Sequence, residues 1–462
     1  MELLTVQDVL TATGGRLVAS GGKGFKKVST DSRTVGRGEL FVPLVGPRFD
    51  GHDYVEAAFK SGAAGALVQA GRGVKPHDGR TLIEVADTLR ALQDMAHYVR
   101  ESHEGLVVVG ITGTNGKTTT KEMLASILAV RGPVLKTSGN LNNEIGLPLT
   151  LLGLRKEHWA AVIEMGMSGF GEIARLAEIA CPSVGVITNI GPAHLDALGS
   201  LEGVAKAKGE LIAALPADGK AVLNADDSHL AGLLDANRDR AVTYGLRPGA
   251  MVTASDIEDS ESGVSFVLSI PGGTAEIELP VIGWHNVHNA LAASAAAWSL
   301  GLGPGEIKAG LEIFRPAGMR MEVLDIDGAH VINDAYNANP ASMAAALTAL
   351  ASLRGGRRMA ALGEMLELGP GAARSHHDVG RLAGAEGLSL LVVMGEHAAE
   401  TARGAVESGM SEKDVVVAPD HEAAAAAIAA RLRQGDHLLV KGSRGMKMER
   451  VIEHLRGRRA VA

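Results

Sequence analysis

The sequence predicts an α/β protein built from three domains. Its 462 residues are about three times a typical domain of roughly 150 residues. Short β-rich apolar runs alternate with helical stretches along most of the chain, which is the pattern of mostly parallel sheets covered by helices. We predict a small α/β domain over residues 1–85, a central parallel-sheet domain over 86–315 and a Rossmann-like α/β domain over 316–462.

Composition and charge argue against nucleic acid as a partner and against a membrane-spanning protein. The 45 basic and 53 acidic residues give a net charge of −8, which disfavours nucleic acid as a partner. Hydrophobic residues make up 46% of the chain, but no uncharged run approaches the roughly 20 residues of a membrane span. The single cysteine, Cys181, cannot form an internal disulfide, and residues 1–4 do not resemble a signal peptide. We therefore expect a cytoplasmic monomer without membrane contact.

In the first domain, short apolar runs are separated by turns. Residues 40–42 are apolar, and turn-forming pairs lie at 21–22, 46–47 and 50–51. A helix is expected near residues 54–61. These elements predict a small α/β unit that ends near residue 85.

The central domain begins with a strand, a glycine-rich loop and a helix. Residues 106–109 are a buried-strand pattern, and residues 117–129 have helical periodicity. Further β-rich runs at 160–163, 184–187 and 221–223 continue a parallel sheet. Residues 252–281 alternate apolar and polar side chains, which predicts antiparallel strands added to that core.

The third domain begins after a break at residues 314–318 that contains proline and glycine. Buried-strand patterns follow at 331–333, 359–362, 390–393 and 438–440, with helical stretches between them. This arrangement is typical of a Rossmann-like fold. The glycine fingerprint of a dinucleotide site is missing from it.

The glycine-rich loop carries the strongest chemical signal. It reads G-I-T-G-T-N-G-K-T-T over residues 110–119. In a P-loop, backbone N–H groups surround phosphate oxygens, a lysine neutralises the terminal phosphates and the next hydroxyl binds Mg²⁺. The strict spacing would place the first glycine at Ile111, and the alternative is a plain Gly-Lys turn. The nucleotide-binding candidates in the loop are Gly113, Thr114, Asn115, Gly116, Lys117, Thr118 and Thr119.

Two side chains after buried strands are metal candidates. Glu164 follows the 160–163 strand, where a magnesium carboxylate lies in a P-loop sheet. The alternative is a solvated glutamate at a strand end. His194 follows the 184–187 strand, and a lone histidine there is more often structural.

Five ordered motifs together resemble the Mur ligases, which are ATP-dependent amide-forming enzymes of peptidoglycan synthesis. They are T-G-T-N-G-K-T-T at 112–119, N-L-N-N at 140–143, E-M-G at 164–166, N-I-G-P-A-H at 189–194 and H-N-V-H-N-A at 285–290. The resemblance covers essentially the whole chain. It implies three domains that bind a UDP-sugar, ATP and the incoming amino compound, in that order.

The resemblance also implies catalytic and metal-binding roles. It assigns Lys117 to the ATP phosphates, Thr118 and Glu164 to magnesium, and His194 to a second magnesium. A lysine at the position of Lys208 is carbamylated in this family and holds that second metal. Lys206 is the rival, and the two lysines lie on different faces of a helical stretch, so we expect only one of them to point inward.

The nucleotide site is completed, by the same resemblance, by residues outside the P-loop. Asn286 and Asn289 are three apart on one helix face, where their amides can read adenine; helix capping is the alternative. Arg320 and Asp334 are implied to meet the terminal phosphate and the ribose. Met319 separates Arg320 from Gly318, whereas the family usually has glycine and arginine adjacent.

The substrates implied are UDP-N-acetylmuramoyl-tripeptide and D-alanyl-D-alanine, with ATP and Mg²⁺. Ser32 and Arg33 suit a diphosphate, although a surface turn is the alternative. The rival functions are a sister Mur ligase that adds another amino acid, folylpolyglutamate synthase, and a P-loop ATPase that acts as an interaction module. The remaining substrate-binding candidates are Asn140, Asn142, Asn143, Tyr336 and Asn337.

Overall fold

The computed structural model describes residues 4–260 and 263–459. The outer ends of the first and third predicted domains, 1–3 and 460–462, lie outside the described residues. The three-domain α/β class is confirmed: three α/β units follow one another, each with its own mixed or parallel sheet. Among the helices of the described ranges, none combines the length and the apolar character that a bilayer crossing requires.

The N-terminal unit contains a sheet with the strand order β2-β9-β8-β5-β4, parallel except where β2 pairs with β9. Leu40, Leu67 and Ile83 are fully buried in its core, because apolar side chains recur along short strands whose faces are covered. The predicted helix near 54–61 is present as α2. The elements are β1 (Leu4–Thr5), α1 (Val6–Thr13), β2 (Arg16–Ala19), β3 (Gly24–Phe25), β4 (Lys27–Ser29), β5 (Glu39–Phe41), β6 (Val45–Gly46), β7 (Phe49–Asp50), α2 (Val55–Lys60), β8 (Gly65–Gln69), β9 (Thr81–Val85) and α3 (Thr88–Glu101).

The central unit is a parallel sheet with the strand order β11-β12-β10-β13-β14-β15. Both faces are covered: Val109 and Ile111 of β10 pack into one apolar core, and Val108 packs into the core on the opposite face. The elements are β10 (Val107–Thr112), α4 (Lys117–Leu128), β11 (Val134–Lys136), α5 (Gly146–Leu151), β12 (Ala160–Glu164), α6 (Glu172–Ala180), β13 (Val184–Ile187), α7 (Leu195–Leu198), α8 (Leu201–Ala213), β14 (Lys220–Asn224), α9 (Ala231–Ala236) and β15 (Ala241–Tyr244).

Residues 252–281, in which apolar and polar side chains alternate, form the predicted antiparallel strands. Its inward residues Val264, Phe266 and Leu268 join the same core as β10, which explains the period of two in the sequence. The Ala-rich helix α10 is buried between this small sheet and the parallel sheet. The elements are β16 (Thr253–Ser260), β17 (Gly263–Ile270), β18 (Gly273–Leu279), α10 (His285–Ser299) and α11 (Pro304–Glu312).

The C-terminal unit has the strand order β19-β20-β24-β21-β22-β23, with β19 as the antiparallel edge. Within the described residues, no strand spans either of the predicted domain boundaries, 85/86 and 315/316. The boundaries themselves stay predictions. The elements are β19 (Glu322–Ile326), β20 (Ala329–Asp334), α12 (Pro340–Ser352), β21 (Arg358–Leu362), α13 (Ala372–Ala385), β22 (Leu390–Val393), α14 (Ala398–Glu407), β23 (Val415–Val417), α15 (His421–Ala429), β24 (His437–Lys441) and α16 (Glu449–Arg459).

The carboxyl ends of strands from two sheets meet at one cleft. Glu164 ends β12 of the central sheet, while Asp334 ends β20 and Lys441 ends β24 of the C-terminal sheet. All three side chains line the same cavity. Polar groups at the carboxyl ends of parallel strands are where α/β proteins bind ligands.

Candidate active site

The glycine-rich loop joins β10 to α4 in a shape that requires glycine. Gly116 has φ +79°, and a β-carbon added to it would lie 2.1 Å from Oδ1 of Asn289. A β-carbon at Gly113, which has φ +148°, would lie 1.8 Å from Oγ1 of Thr188. The backbone of the loop therefore packs directly against its neighbours, without intervening side chains, at the start of a helix. This is the arrangement that binds phosphate groups.

Two residues after β13 hold this loop in place. Asn189 Oδ1 accepts a 2.9 Å hydrogen bond from Asn115 N, and Thr188 Oγ1 donates a 2.6 Å bond to Asn115 O. Both bonds join segments more than 70 residues apart in sequence. These contacts with the neighbouring strand end hold the loop in its conformation, which reduces the cost of ordering it on ligand binding.

Lys117 lies at the first position of α4 and faces two cavities. Its Nζ donates to Gly113 O at 2.7 Å and to Thr114 O at 3.1 Å. Burial lowers the pKa of Lys117, and the nearby Arg320 charge lowers it further, although Glu164 acts in the opposite direction. A cation in this position is stabilised by an anion such as a terminal phosphate.

Glu164 presents a buried carboxylate beside the loop. Its Oε2 accepts from Thr118 Oγ1 at 2.8 Å, and its Oε1 accepts from Asn142 Nδ2 at 2.9 Å. Only 3% of its surface is exposed. A carboxylate and a hydroxyl in contact are oxygen ligands of the kind that Mg²⁺ prefers, so these residues fit a magnesium ion.

The first cavity has a volume of about 690 Å³ and lies between the central and C-terminal units. It brings together residues that the sequence analysis had selected from separate motifs across more than 200 positions. The predicted residues that line it are Thr114, Asn115, Gly116, Lys117, Thr118, Thr119, Asn142, Glu164, Asn286, Asn289, Arg320, Asp334, Tyr336 and Asn337.

The two asparagines of α10 form one polar patch inside this cavity. Asn289 Nδ2 donates to Asn286 Oδ1 at 3.0 Å, and Asn286 Nδ2 donates to Ile282 O at 2.8 Å. The residue at the N-terminus of α10 is Trp284, which makes no side-chain capping bond. Helix capping therefore does not explain these asparagines, which both line the cavity.

The C-terminal unit contributes a cation and an ion pair to the opposite wall. The Arg320 guanidinium lies 3.9 Å from the centre of the Tyr336 ring, and Lys441 Nζ contacts Asp334 Oδ2. Met319 and Met321 on either side of Arg320 have φ +61° and +53°. The backbone is therefore strained on both sides of Arg320, which lines the cavity although a methionine separates it from Gly318.

The second cavity, of about 340 Å³, adjoins the loop on the other side of Lys117. Lys208 of α8 is 3% exposed there, and burial, with the Lys117 charge, moves its pKa well below the ordinary value. Burial also lowers the pKa of His194, whose φ is +52°. The predicted residues that line this cavity are Gly113, Thr114, Lys117, Asn142, Asn143, His194 and Lys208.

Lys206 and Lys208 point in different directions, as their places on the helix predict. Lys206 is exposed and lies 5.8 Å from the centre of the Phe170 ring. Lys208 is buried beside His194 in the second cavity. The geometry therefore favours Lys208 for any role in this site.

Three predicted residues do not line either cavity. Arg33 is exposed and pairs with Asp31, with Nη2 2.7 Å from Oδ2, and this pairing lowers the pKa of Asp31 to about 2. Ser32 lies in the same turn. Asn140 is exposed, and its carbonyl accepts from Asn142 N at 2.8 Å. The structure thus leaves the substrate roles of these residues as predictions.

The sequence analysis missed several residues that complete the site. Lys441 is 2% exposed and pairs with Asp334, and Asn339 Nδ2 donates to Asn115 Oδ1 at 2.8 Å. A charged residue that ends a buried strand was the available signal for Lys441. Asn189 begins the motif at 189–194, but nothing in the sequence indicates that Thr188 and Asn189 hold the P-loop, because that role depends on contacts between distant segments.

Three domain models of the Mur ligase family match the chain in succession. Residues 25–100 match the Mur ligase family catalytic domain, residues 111–297 match the Mur ligase middle domain, and residues 319–444 match the Mur ligase glutamate ligase domain. Together they account for most of the chain.

Individual relatives agree with this result. The chain is 41% identical to UDP-N-acetylmuramoyl-tripeptide–D-alanyl-D-alanine ligase of Bacillus subtilis, over 93% of this chain and 92% of the relative. MurF from Acinetobacter baumannii has a similar structure, with a TM-score of 0.90, 35% identity and 99% coverage of both chains. MurF ligase from Thermotoga maritima in complex with ADP has a TM-score of 0.82 and 28% identity, and the match covers 94% of this chain and 98% of that chain. These matches and the site geometry together establish that the chain belongs to the Mur ligase family.

Proposed function

We propose that this protein is an ATP-dependent ligase that joins D-alanyl-D-alanine to the terminal carboxylate of UDP-N-acetylmuramoyl-tripeptide, with release of ADP and phosphate. This reaction supplies a precursor of peptidoglycan. The observation that carries the proposal is the position of Lys117, which faces both the first and the second cavity. The relatives at 36–41% identity bear the name of this ligase.

The chemistry needs two steps because a carboxylate is a poor acylating agent. A carboxylate oxygen of the tripeptide first attacks the γ-phosphorus of ATP, and ADP leaves. The amine nitrogen of the dipeptide then attacks the acyl carbon, phosphate leaves and the nitrogen loses a proton. Lys117 lies between the two cavities, where it stabilises the phosphoryl charge in both steps.

The first cavity is the proposed ATP site. The P-loop and Lys117 bind the phosphates, Asn286 and Asn289 bind the adenine, and Asp334 lies on the side of the ribose. Thr118 and Glu164 would hold Mg²⁺, which supplies Lewis-acid stabilisation of the transferring phosphoryl group. Arg320 brings a further positive charge from the C-terminal unit.

The second cavity is the proposed place of the reacting carboxylate. Lys208 is buried, and its lowered pKa favours the neutral amine. A neutral amine is the form that adds carbon dioxide, and the resulting carbamate would hold a second Mg²⁺ together with His194. Both side chains line this cavity, and neither forms an ion pair with another of the described residues.

The function is tested by incubating the protein with ATP, Mg²⁺, a panel of UDP-muramoyl peptides and a panel of amine acceptors. Mass spectrometry identifies the amide product. The proposal expects a product from UDP-N-acetylmuramoyl-tripeptide and D-alanyl-D-alanine. A product with a single amino acid only would indicate a sister ligase, and ATP hydrolysis without any amide would indicate a P-loop ATPase.

A further inference from the structure

Lys121 is a completely buried lysine that lies one helical turn after Lys117 in α4. It is 1% exposed and lines neither of the two cavities, so it does not touch a ligand bound there. A buried ammonium group costs free energy unless polar or charged partners surround it. The partners of Lys121 therefore identify the groups that its charge serves.

The ammonium of Lys121 connects α4 to the end of the neighbouring strand β11. Its Nζ donates to Thr137 O at 2.7 Å, and Thr137 directly follows β11. Thr137 is fully buried, and its Oγ1 accepts a 2.9 Å hydrogen bond from Glu164 N. Lys121 is thus linked to the backbone of Glu164 through a single residue.

The same ammonium also lies beside the carboxylate of Glu164. Nζ is 3.9 Å from Oε2, the oxygen that accepts from Thr118 Oγ1. Thr118 and Lys121 are three residues apart and lie on one face of α4. The hydroxyl that would hold Mg²⁺ and the ammonium therefore approach Oε2 from the same helix.

The other oxygen of Glu164 depends on the segment that begins at Thr137. Asn142 Nδ2 donates to Oε1 at 2.9 Å. Residues 137–142 connect the Lys121 contact to this bond and contain neither a helix nor a strand. Lys121 therefore supports the backbone nitrogen and Oε1 of Glu164 through this segment, and it lies directly beside Oε2.

Glu122 gives Lys121 a second carboxylate partner. Its Oε1 lies 3.0 Å from Lys121 Nζ, and its Oε2 contacts Lys136 Nζ. If a metal ion takes up the charge of Glu164, Lys121 retains Glu122 as a counter-ion. The ammonium can therefore keep its place, and its bond to Thr137, while the metal site fills.

We infer that Lys121 is a positioning residue that holds the Glu164 carboxylate in the orientation required for Mg²⁺. This inference rests on the proposed function. Groups that support a metal ligand from behind commonly change the metal affinity when they are removed. A cation 3.9 Å from Oε2 would, by its charge alone, repel a metal ion. The two roles predict opposite results: loss of the ammonium weakens metal binding if Lys121 positions Glu164, and strengthens it if Lys121 is only a nearby charge.

The test measures how full-length variants bind ADP by calorimetry, once with Mn²⁺ as the metal probe and once in EDTA. We expect Lys121→Met to bind Mn²⁺–ADP about ten-fold more weakly and to bind ADP in EDTA with unchanged affinity. Lys136→Met is the matched control, because the Lys136 ammonium pairs with Glu122 and not with Glu164. This control should bind Mn²⁺–ADP like the wild type.

Thr137 allows a second test that leaves the buried charge in place. Thr137→Val has nearly the same volume but removes the oxygen that accepts from Glu164 N, so we expect Mn²⁺–ADP to bind about three-fold more weakly. Thr137→Ser keeps the hydroxyl and should behave like the wild type.

Unchanged or tighter binding of Mn²⁺–ADP by Lys121→Met would overturn the inference, and so would an equal loss in EDTA or in Lys136→Met. A loss confined to the melting temperature would show that Lys121 only stabilises the fold. If Lys121→Met does not fold, Thr137→Val decides by the same criteria. The proposed function has a separate control, because it fails if the wild-type protein forms no amide product.

Discussion

Asn339 of the C-terminal unit donates a 2.8 Å hydrogen bond from its Nδ2 to Oδ1 of Asn115 in the P-loop. Asn339 also caps α12, because its Oδ1 accepts from Ser342 N at 2.9 Å. One side chain therefore connects the start of a helix in the C-terminal unit to the loop that would hold ATP phosphates. A change in the loop conformation on nucleotide binding would therefore act directly on the N-terminus of α12.

This bond should control how closely the two units approach. Asn115→Ala removes one partner, and Asn339→Ser keeps a helix cap but is too short to reach Asn115. We expect each variant to raise the radius of gyration of the nucleotide-free protein in small-angle scattering. The effects of the two changes on the KM for ATP can be expressed as free energies. In a double-mutant cycle, their sum should differ from the effect of the double variant by about 1 kcal/mol. Fully additive effects would show that the bond does not couple the units.

Lys208 and Lys206 provide a matched pair within one helix. Lys208→Ala should lower kcat on the order of a hundred-fold, because it removes the group proposed to hold the second metal. A small added carboxylate such as acetate should restore part of the activity, since its oxygens replace those of the carbamate. Lys206→Ala should behave like the wild type. The opposite pattern, with Lys206→Ala inactive, would transfer the role to Lys206.

Gly116 can be compared with Gly105, which also has a positive φ. Gly105 has φ +74° with no atom within 4 Å of an added β-carbon, so Gly105→Ala should cost about 1 kcal/mol in strain and leave the kinetics unchanged. Gly116→Ala adds a collision with Asn289 inside the first cavity. We expect at least a ten-fold higher KM for ATP, measured in the coupled assay for ADP release. Equal kinetics in the two variants would contradict the proposed ATP site.

His285 should make stability depend on pH. Burial lowers its pKa to about 4; Asp334 acts to raise it, while Lys441 and His288 lower it further. Between about pH 4 and 6.5 the unfolded chain binds a proton that the folded chain does not, so stability falls as the pH falls through this window. The contribution is about 3 kcal/mol. His285→Gln should therefore reduce the loss of melting temperature between pH 7 and pH 4.5, and an unchanged loss would contradict this assignment.

Local patterns in the sequence predicted the elements of the fold well. The helix expected at 117–129 is Lys117–Leu128, and the strand expected at 106–109 is Val107–Thr112. Both elements could be predicted because hydrophobic periodicity and a following glycine-rich loop are local properties of the sequence. The strand is longer than expected because Gly110, a residue that disfavours strands, is nevertheless held in the sheet by neighbouring strands on both sides.

The parts of the site that could not be predicted depend on distant contacts. Asn115 and Asn339 are 224 residues apart, and the pairing of Lys441 with Asp334 requires two strands to be adjacent in the C-terminal sheet. The resemblance to a family selected Lys208, which the structure buries in the second cavity, whereas the residues alone would indicate a solvated lysine.

The central claim, transfer of a phosphoryl group to a substrate carboxylate, is tested most directly by oxygen labelling. The terminal carboxylate of UDP-N-acetylmuramoyl-tripeptide is enriched in ¹⁸O, and the protein turns over with ATP and D-alanyl-D-alanine. If an acyl phosphate forms, one carboxylate oxygen leaves with the phosphate, so the released phosphate carries ¹⁸O in mass spectrometry. Phosphate without the label would mean that its oxygen came from water and would contradict the ligase mechanism.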